Sequence, residues 1–330
     1  MQSRKLFAAA MAAALGIGLS VESFAQQGIR LSTDNLSFVE EPIAFEAGGF
    51  TILVNGLIDL SNTRDLDSDE DDGVLAGVLQ LSAEKQLQNA LTVGATYRGE
   101  ENDGYDDQFA VYGRGVWGRV ALGDVTEQTE ILTERMDGVG NADMNLDNFY
   151  GDLEDTGLSY SGRFSAYTAV VSVDEDSNFD LGLVFERPLG NKDYRFAGRF
   201  INSEFVASDG TVLDSNGLQF GVELIYSSVL MDAGVGFEQL KASGVRIDRR
   251  YLAAGLSYKK HRWSFSLEGL VGDVDGEDES AYSVGARYDI ARGLSVNLGL
   301  NHVDSAATID GIQLRSDDTN EFVVSLRYEF

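Results

Sequence analysis

The sequence predicts an all-β protein: a closed, antiparallel, up-and-down transmembrane β-barrel of about sixteen strands. Segments of roughly ten residues that alternate between apolar and polar recur along the chain, separated by connections that are in turn long and acidic, then short and often basic. Beyond the N-terminal segment, no apolar run approaches the ~18 residues of a membrane helix. The chain has only two prolines among 330 residues. Few prolines suit a sheet that uses nearly every backbone N–H, and a closed sheet satisfies every backbone group in a bilayer.

The first 25 residues are predicted to be a signal peptide that is removed on export. Arg4 and Lys5 give a positive start, and Leu6 to Leu19 form an apolar stretch. Ser23-Phe24-Ala25 then supplies small residues at both cleavage-determining positions, so cleavage is expected after Ala25. A membrane anchor is the alternative, but it needs about 20 apolar residues and this stretch has fewer.

The mature chain, residues 26–330, is predicted to be one barrel domain. Residues 26–49 form its N-terminal or periplasmic lead-in, because Pro42 opposes strand pairing before it. The sixteen predicted strands are Phe50–Leu60, Val74–Ala83, Ala90–Arg98, Phe109–Gly113, Arg119–Gly123, Thr156–Ser161, Ser165–Val173, Phe179–Glu186, Tyr194–Asn202, Leu218–Tyr226, Leu230–Glu238, Tyr251–Tyr258, Trp263–Val271, Tyr282–Ile290, Leu294–His302 and Glu321–Phe330.

An even strand number places both termini at the short-turn end, and sixteen strands enclose a lumen too wide for side chains to fill. Two alternatives stay open at this point. Ile29 to Phe45 could contain one more strand. A soluble β-sandwich would also show alternating strands, but it would bury the apolar faces in one modest core.

The last strand carries the first resemblance. Its apolar residues occupy every second position and end on an aromatic, and they are Phe322, Val324, Leu326, Tyr328 and Phe330. This strand resembles the C-terminal strand of Gram-negative outer-membrane barrels. The resemblance implies barrel closure by this strand, contact with outer-membrane lipid, and recognition of the strand by the barrel-assembly machinery.

The whole mature chain resembles the general porins of Gram-negative bacteria. The signal peptide, the alternation of loops and turns, the uniquely long third loop and the terminal Arg-Tyr-Glu-Phe carry this resemblance. It implies an outer-membrane homotrimer of diffusion channels whose third loop, Asp124 to Asp155, folds into the lumen. The Pro-Glu-Phe-Gly-Gly type motif of enteric porins is missing, and Met136 to Asn145 stands in its place.

The segment Asp124 to Asp155 holds ten carboxylates and one arginine, Arg135. Loops longer than about 12–15 residues are usually functional, which favours the inward position over a solvated acidic loop outside the barrel. The acidic residues expected at the pore constriction are Asp124, Glu127, Glu130, Glu134, Asp137, Asp143 and Asp147.

Strand parity predicts which arginines face the lumen, since one register step sends a side chain to the other face. The predicted basic wall comprises Arg98, Arg195, Arg199, Arg287 and Arg327. An arginine facing hydrocarbon at mid-bilayer would cost about 2–4 kcal/mol, which favours the lumen. The alternative role for these arginines is to pair with wall carboxylates such as Glu186, Glu223 and Glu268.

Composition excludes several kinds of function. With 54 acidic and 25 basic residues, the chain is not expected to bind nucleic acid, and without cysteine it has neither disulfides nor thiolate metal sites. No enzymatic activity is expected, because His261 lies in a basic turn and His302 has the lipid-facing parity.

No cofactor is expected, although weak divalent cation binding at the acidic loops is possible. The stretch from Asp65 to Gly73 resembles the first half of an EF-hand loop but lacks the glutamate of the twelfth position and the flanking helices.

Two functions compete at this stage. The first is a water-filled pore for passive diffusion of ions and small hydrophilic solutes, with a preference for cations that comes from the acidic third loop. The second is an outer-membrane barrel that acts mainly as an interaction or scaffold protein through its acidic surface loops.

Overall fold

The computed structural model describes residues 43–68, 71–87, 90–101, 105–135, 138–142, 146–153, 156–207, 210–242, 244–309 and 312–330. The predicted signal peptide lies outside these residues. The strands are β1 (Ile43–Ala47), β2 (Phe50–Asp65), β3 (Asp71–Gln86), β4 (Thr92–Glu101), β5 (Tyr105–Gly115), β6 (Gly118–Asp124), β7 (Thr156–Phe164), β8 (Tyr167–Asp174), β9 (Phe179–Leu189), β10 (Lys192–Val206), β11 (Val212–Tyr226), β12 (Val229–Ala242), β13 (Val245–Lys260), β14 (Trp263–Val274), β15 (Glu277–Ala291), β16 (Leu294–Ile309) and β17 (Ile312–Glu329). One short helix, α1 (Gln128–Thr133), follows β6.

Strands β2 to β17 form a closed antiparallel barrel in which each strand pairs with its neighbours in the chain. The last strand closes the ring, because β17 pairs with β2 from Glu321↔Asp65 to Glu329↔Leu57. The closure continues to the final residue, where Phe330 and Gly56 exchange two backbone hydrogen bonds of 2.8 and 2.9 Å. The predicted count of sixteen barrel strands is therefore confirmed.

A seventeenth strand, β1, lies outside the ring. It begins directly after Pro42 and pairs with the first residues of β2, from Ile43↔Val54 to Ala47↔Phe50. The chain reverses at Gly48 and Gly49, whose positive φ angles of 61° and 78° suit glycine. Of the extra strand considered for Ile29 to Phe45, only the part from Ile43 lies within the described residues, and this part pairs with β2.

The strands are longer than predicted, and several connections expected to be long acidic loops are tight hairpins. The acidic stretch between β14 and β15 is the clearest case. There Asp273 pairs with Asp278 and Val274 with Glu277, and only Asp275 and Gly276 form the turn. Both turn residues have positive φ, as a two-residue Asp-Gly hairpin requires. The charge of this stretch predicts a loop, but its charged side chains pair as strand residues.

The two faces of the barrel have opposite polarity. Outward side chains are apolar and exposed, as at Phe220, Leu252 and Phe265, whereas the inward Arg199 and Arg287 are 3% and 1% exposed. This reverses the arrangement of a soluble barrel, whose apolar residues fill the interior. Within the described residues, no helix is long and apolar enough to cross a membrane.

The connection between β6 and β7, residues 125–155, is the exception among the connections that join the barrel strands. By the strand bounds above, each of the others has at most five residues. We call residues 125–155 the long connection. It leaves the barrel at what we call the connection end, and the opposite end, which holds the turns at residues 116–117 and 261–262, is the turn end.

Candidate functional site

The long connection contacts side chains of inward parity along much of the barrel wall. Its first part is α1, which packs against β8 to β10. The buried Thr129 places its Oγ1 3.2 Å from Ser172 Oγ, and Thr133 donates a 2.7 Å hydrogen bond to the carbonyl of Thr129. A Cβ at the inward Gly182 would lie 2.6 Å from a methyl carbon of Thr133, so this glycine makes room for the helix.

The middle part of the long connection, residues 138–142, reaches strands on the far side of the ring. The backbone N–H of Val139 donates a 2.7 Å hydrogen bond to Ser266 Oγ on β14. The side-chain oxygen of Asn141 accepts hydrogen bonds of 3.3 Å from Ser325 and from Arg327 on β17. The connection therefore crosses from β8 to the closing strand.

The last part, residues 146–153, returns along the wall toward β10. Arg249 on β13 donates to the carbonyls of Asn148 and Leu146 at 2.6 and 2.5 Å. The carboxylate of Glu238 on β12 accepts from the N–H groups of Tyr150 and Gly151, both at 2.9 Å. These hydrogen bonds hold the returning part by its backbone N–H and C=O groups. The side chains of the long connection contribute little to this anchoring.

Glycines of inward parity allow this close approach, and the sequence reasoning overlooked them. A Cβ at Gly285 on β15 would lie 1.8 Å from the carbonyl oxygen of Val139, and one at Gly299 on β16 would lie 2.0 Å from that of Asn141. A Cβ at Gly217 on β11 would lie 2.7 Å from the ring of Phe149. Glycines recurring at inward positions of different strands are the signal that could have predicted the path.

The predicted wall arginines are all of inward parity, and four of them pair with carboxylates. Arg195 pairs with Glu223, Arg199 with Asp180 at 2.7 Å and with Glu130 at 3.1 Å, Arg287 with Asp289 at 2.9 Å and with Glu329 at 3.2 Å, and Arg327 with Asp59 at 2.7 Å. Arg98 lies on β4 between Gln80 and Gln108 in the strand register. These contacts agree better with arginines that pair with wall carboxylates than with an unpaired basic wall. Of the three carboxylates suggested as partners, Glu186, Glu223 and Glu268, only Glu223 pairs with a predicted wall arginine among the described contacts.

Two further arginines complete this set. Arg135 of the long connection contacts Asp147 at 2.6 Å and Asp232 at 2.5 Å, and Arg249 contacts Glu279 at 2.9 Å and Glu238 at 3.7 Å. Burial opposes the charge of Arg135, but the two aspartates outweigh burial and raise the pKa of its guanidinium above the ordinary value. Arg249 was missed because the predicted strand began only at Tyr251.

These interior ion pairs contain more acids than bases. The six arginines are Arg135, Arg195, Arg199, Arg249, Arg287 and Arg327, and their ten carboxylate partners are Asp59, Glu130, Asp147, Asp180, Glu223, Asp232, Glu238, Glu279, Asp289 and Glu329. Ten acids against six bases leave an excess of four negative charges. These described ion pairs therefore carry a formal excess of carboxylates.

The carboxylates predicted for a constriction are spread out. Glu130 and Asp147 are paired with arginines, as above. Asp124 ends β6 and accepts hydrogen bonds from the N–H of Phe109 at 2.7 Å and from Thr156 Oγ1 at 3.0 Å. Glu127 is exposed and Glu134 half-buried beside α1. Asp137 and Asp143 lie outside the described residues.

Asp65 and His302, from the candidate cation ligands and the histidines, make hydrogen bonds to neighbouring residues. Among the described side chains, no group of three or more His, Asp or Glu is arranged to hold a metal ion. Asp65 accepts from Asp67 N at 2.8 Å and from Ser68 Oγ at 2.7 Å, while part of the EF-hand-like stretch lies outside the described residues. His302 lies 2.6 Å from Asn320 Oδ1 and packs on Tyr282. Weak divalent binding stays a prediction.

Comparison with known proteins gives likeness in structure only. No family model matches the chain, and no curated protein matches it. The chain is similar to a trimer form of OmpT, an outer membrane protein of Vibrio cholerae, with 13% identity and a TM-score of 0.71 over 86% of this chain and all of that one. It is also similar to an anion-selective porin from Comamonas acidovorans, with 15% identity and a TM-score of 0.64 over 85% and 100% of the two chains.

A mutant of the Rh. blastica porin is a third similar structure, with 13% identity and a TM-score of 0.53 over 84% of this chain and all of that one. At such low identities these likenesses show the fold. The fold is the closed, sixteen-stranded, up-and-down barrel that porins have.

Proposed function

We propose that this chain is an outer-membrane porin: a water-filled channel through which ions and small hydrophilic solutes diffuse passively. The observation that carries the proposal is the closed sixteen-stranded barrel with an exposed apolar outer face and a charged inner face. A barrel of this size is too wide to be filled by its own inward side chains. The long connection, packed on the inner wall by its own backbone, narrows the lumen and forms the constriction.

The proposal includes export through the signal peptide, residence in the outer membrane, and no enzymatic activity. Single-channel recording of the purified protein in a planar bilayer tests it. Discrete, salt-dependent conductance steps are expected. A barrel that inserts without conducting would contradict the channel and would favour the scaffold function instead.

We also propose a homotrimer, which is supported by the likeness to the trimer form of OmpT. The outward residues differ between two sides of the barrel, and one of these sides suits contact with neighbouring subunits. Exposed outward residues of β2 and β3 are mainly aliphatic, such as Ile58, Leu60 and Leu75, whereas those of β10 to β14 include Phe196 and Trp263. Light scattering in mild detergent is expected to give three times the mass of one chain, and a monomer would contradict this.

The channel is proposed to prefer cations. The Comamonas porin is described as anion-selective, so the fold alone does not determine the sign of selectivity. In this chain the interior ion pairs carry an excess of carboxylates, as shown above. A unit charge ~7 Å from a passing ion changes its energy by about 0.6 kcal/mol in bulk water and about 2.4 kcal/mol at an effective dielectric constant of 20. A few uncompensated carboxylates therefore favour cations by one to several RT.

The reversal potential in a KCl gradient tests this preference. We expect it to indicate cation selectivity in the wild type, and a weaker preference in the double variant Glu127→Gln, Glu134→Gln. Selectivity is also expected to weaken as salt rises from 0.1 M to 1 M, because the screening length falls from about 10 Å to about 3 Å.

The matched control is the double variant Glu277→Gln, Asp278→Asn, which removes the same charge from exposed residues at the connection end. The control is expected to keep most of the wild-type preference. Anion selectivity of the wild type would contradict the proposal. Equal effects of the two double variants would place the selectivity at the barrel mouth instead of beside α1.

A further inference from the structure

Two arginines face each other near the turn end of the barrel, on β5 and β6, which contribute none of the ion pairs described above. Arg114 is the second-last residue of β5 and Arg119 the second residue of β6, and they are direct partners across the two strands. Both share the inward parity of the buried Tyr112 and Ala121. Like charges directly opposite each other on paired strands are destabilising, so this pair needs a source of negative charge.

One carboxylate supplies part of that charge. Glu84 on β3 accepts a hydrogen bond from Arg114 Nη2 at 2.5 Å and another from the Tyr112 hydroxyl at 2.6 Å. The Arg114 and Glu84 side chains are 31% and 18% exposed, so this pair borders solvent inside the barrel. Glu84 is therefore already engaged with Arg114 and Tyr112.

Arg119 has no such partner. Its guanidinium lies over the Tyr112 ring, 4.3 Å from the ring centroid, and its Nε is buried without a hydrogen-bond acceptor. No carboxylate in the described part of the chain forms an ion pair with it. Tyr112 is itself fixed, because it lies over Gly94, where a Cβ would be 2.6 Å from the ring. Arg119 is thus held in place by stacking, with its charge uncompensated by hydrogen bonding.

The local charge balance is the reverse of that in the ion pairs described above. There, six arginines share ten carboxylates. Here, two arginines share one carboxylate, Glu84, which leaves one positive charge beside β5 and β6. Because an arginine guanidinium presents a planar fork of N–H donors that matches carboxylate and phosphate oxygens, the missing partner is most simply an oxyanion from solution.

We propose that Arg114 and Arg119 form a binding subsite for a small oxyanion, a phosphate or carboxylate group of a solute, at the turn end of the lumen. Arg119 holds the anion, Tyr112 orients Arg119, and Glu84 keeps Arg114 in position beside it. A passing anionic solute would meet this subsite in a channel whose other described ion pairs contain more carboxylates than arginines. This proposal rests on the proposed channel function in one respect: the channel is the route by which a solute reaches the subsite.

Calorimetric titration of the purified barrel in detergent tests the subsite without requiring conductance. The probes are inorganic phosphate and, in a separate titration, succinate, which distinguish a phosphate site from a carboxylate site. Arg119→Gln and Arg114→Gln are each expected to raise the Kd for the preferred probe by about tenfold or more, as for loss of a hydrogen bond to a charged group. Arg119→Lys, which keeps the charge without the fork, is expected to fall between these and the wild type.

Arg262→Gln is the matched control. Arg262 lies in a turn at the same end, exposed, and donates a 3.0 Å hydrogen bond to the Ile290 carbonyl. It is expected to leave the Kd unchanged. Should Arg119→Gln fail to fold, Arg114→Gln and Arg119→Lys carry the same comparison.

The subsite is overturned if neither probe binds the wild type, or if the arginine variants bind as the wild type does. The KCl conductance of the same preparations reports the channel separately. A barrel that conducts but binds neither anion would contradict the subsite and support the channel. A barrel that binds an anion but does not conduct would support the subsite and contradict the channel.

Discussion

Gly285→Ala and Gly299→Ala are each expected to loosen the middle of the long connection from the wall. The new Cβ would lie 1.8 Å from the Val139 carbonyl oxygen in the first variant and 2.0 Å from the Asn141 carbonyl oxygen in the second. Neither acceptor is the end of a flexible side chain, so the backbone itself must move. Overpacking of this kind costs about 1–3 kcal/mol, which lowers the docked population relative to the undocked one by about 5- to 150-fold.

Single-channel recording is the measurement for these variants. The wild type should hold one main conductance level, and both variants should switch frequently to other levels. Gly221→Ala is the matched control, since this glycine is also of inward parity but its Cβ would find its nearest neighbour, Arg135 Cγ, at 3.7 Å. Wild-type records from Gly285→Ala and Gly299→Ala would show that the docked connection does not control the current.

Arg249→Met is expected to cause a large loss of stability. The arginine side chain is 1% exposed, and those of Glu238 and Glu279 are 0% and 1% exposed. The guanidinium also lies 4.5 and 4.8 Å from the ring centroids of Tyr150 and Tyr251. Removing one partner of such a group leaves buried, uncompensated charge and costs about 3–5 kcal/mol.

The midpoint of urea unfolding, followed by tryptophan fluorescence, measures this loss. Arg250→Met is the control, because the neighbouring arginine points outward, is 72% exposed and has only a 3.6 Å contact with Asp273. The triple variant Arg249→Met, Glu238→Gln, Glu279→Gln should recover part of the lost stability, because it also removes the two buried carboxylates that have lost their arginine. Similar midpoints for Arg249→Met and Arg250→Met would contradict the assignment.

The barrel itself could be predicted from sequence because its strands follow a two-residue period of apolar and polar residues. Alternation of apolar and polar residues specifies both strand and face, and a one-residue error would exchange the two faces throughout a strand. The number of barrel strands and the inward parity of Arg199 and Arg287 came from that alternation alone. Strand ends were harder to place, because alternation is lost where consecutive residues on opposite faces are both charged, as at Asp278 and Glu279.

The path of the long connection could not be predicted in the same way. Its position depends on backbone carbonyls that meet glycines and arginines far away in the chain, such as Val139 with Gly285 and Leu146 with Arg249. Such contacts use no side-chain period within the connection. The ion-pair partners of the wall arginines could not be predicted either. Parity gives the face on which a charged side chain lies, but it does not identify its partner on another strand.

The short strand β1 has a consequence for how the ring closes. It occupies the edge of β2 immediately beyond the position of Phe330, with Ile43 opposite Val54 while Phe330 bonds to Gly56. If the last strand slid by two residues toward the turn end, Phe330 would have to displace Ile43 from Val54. The hairpin of β1 and β2 joins residues close in sequence and needs no other strand to form. The hairpin therefore blocks any shift of the final strand toward the turn end and sets the limit of its register in that direction.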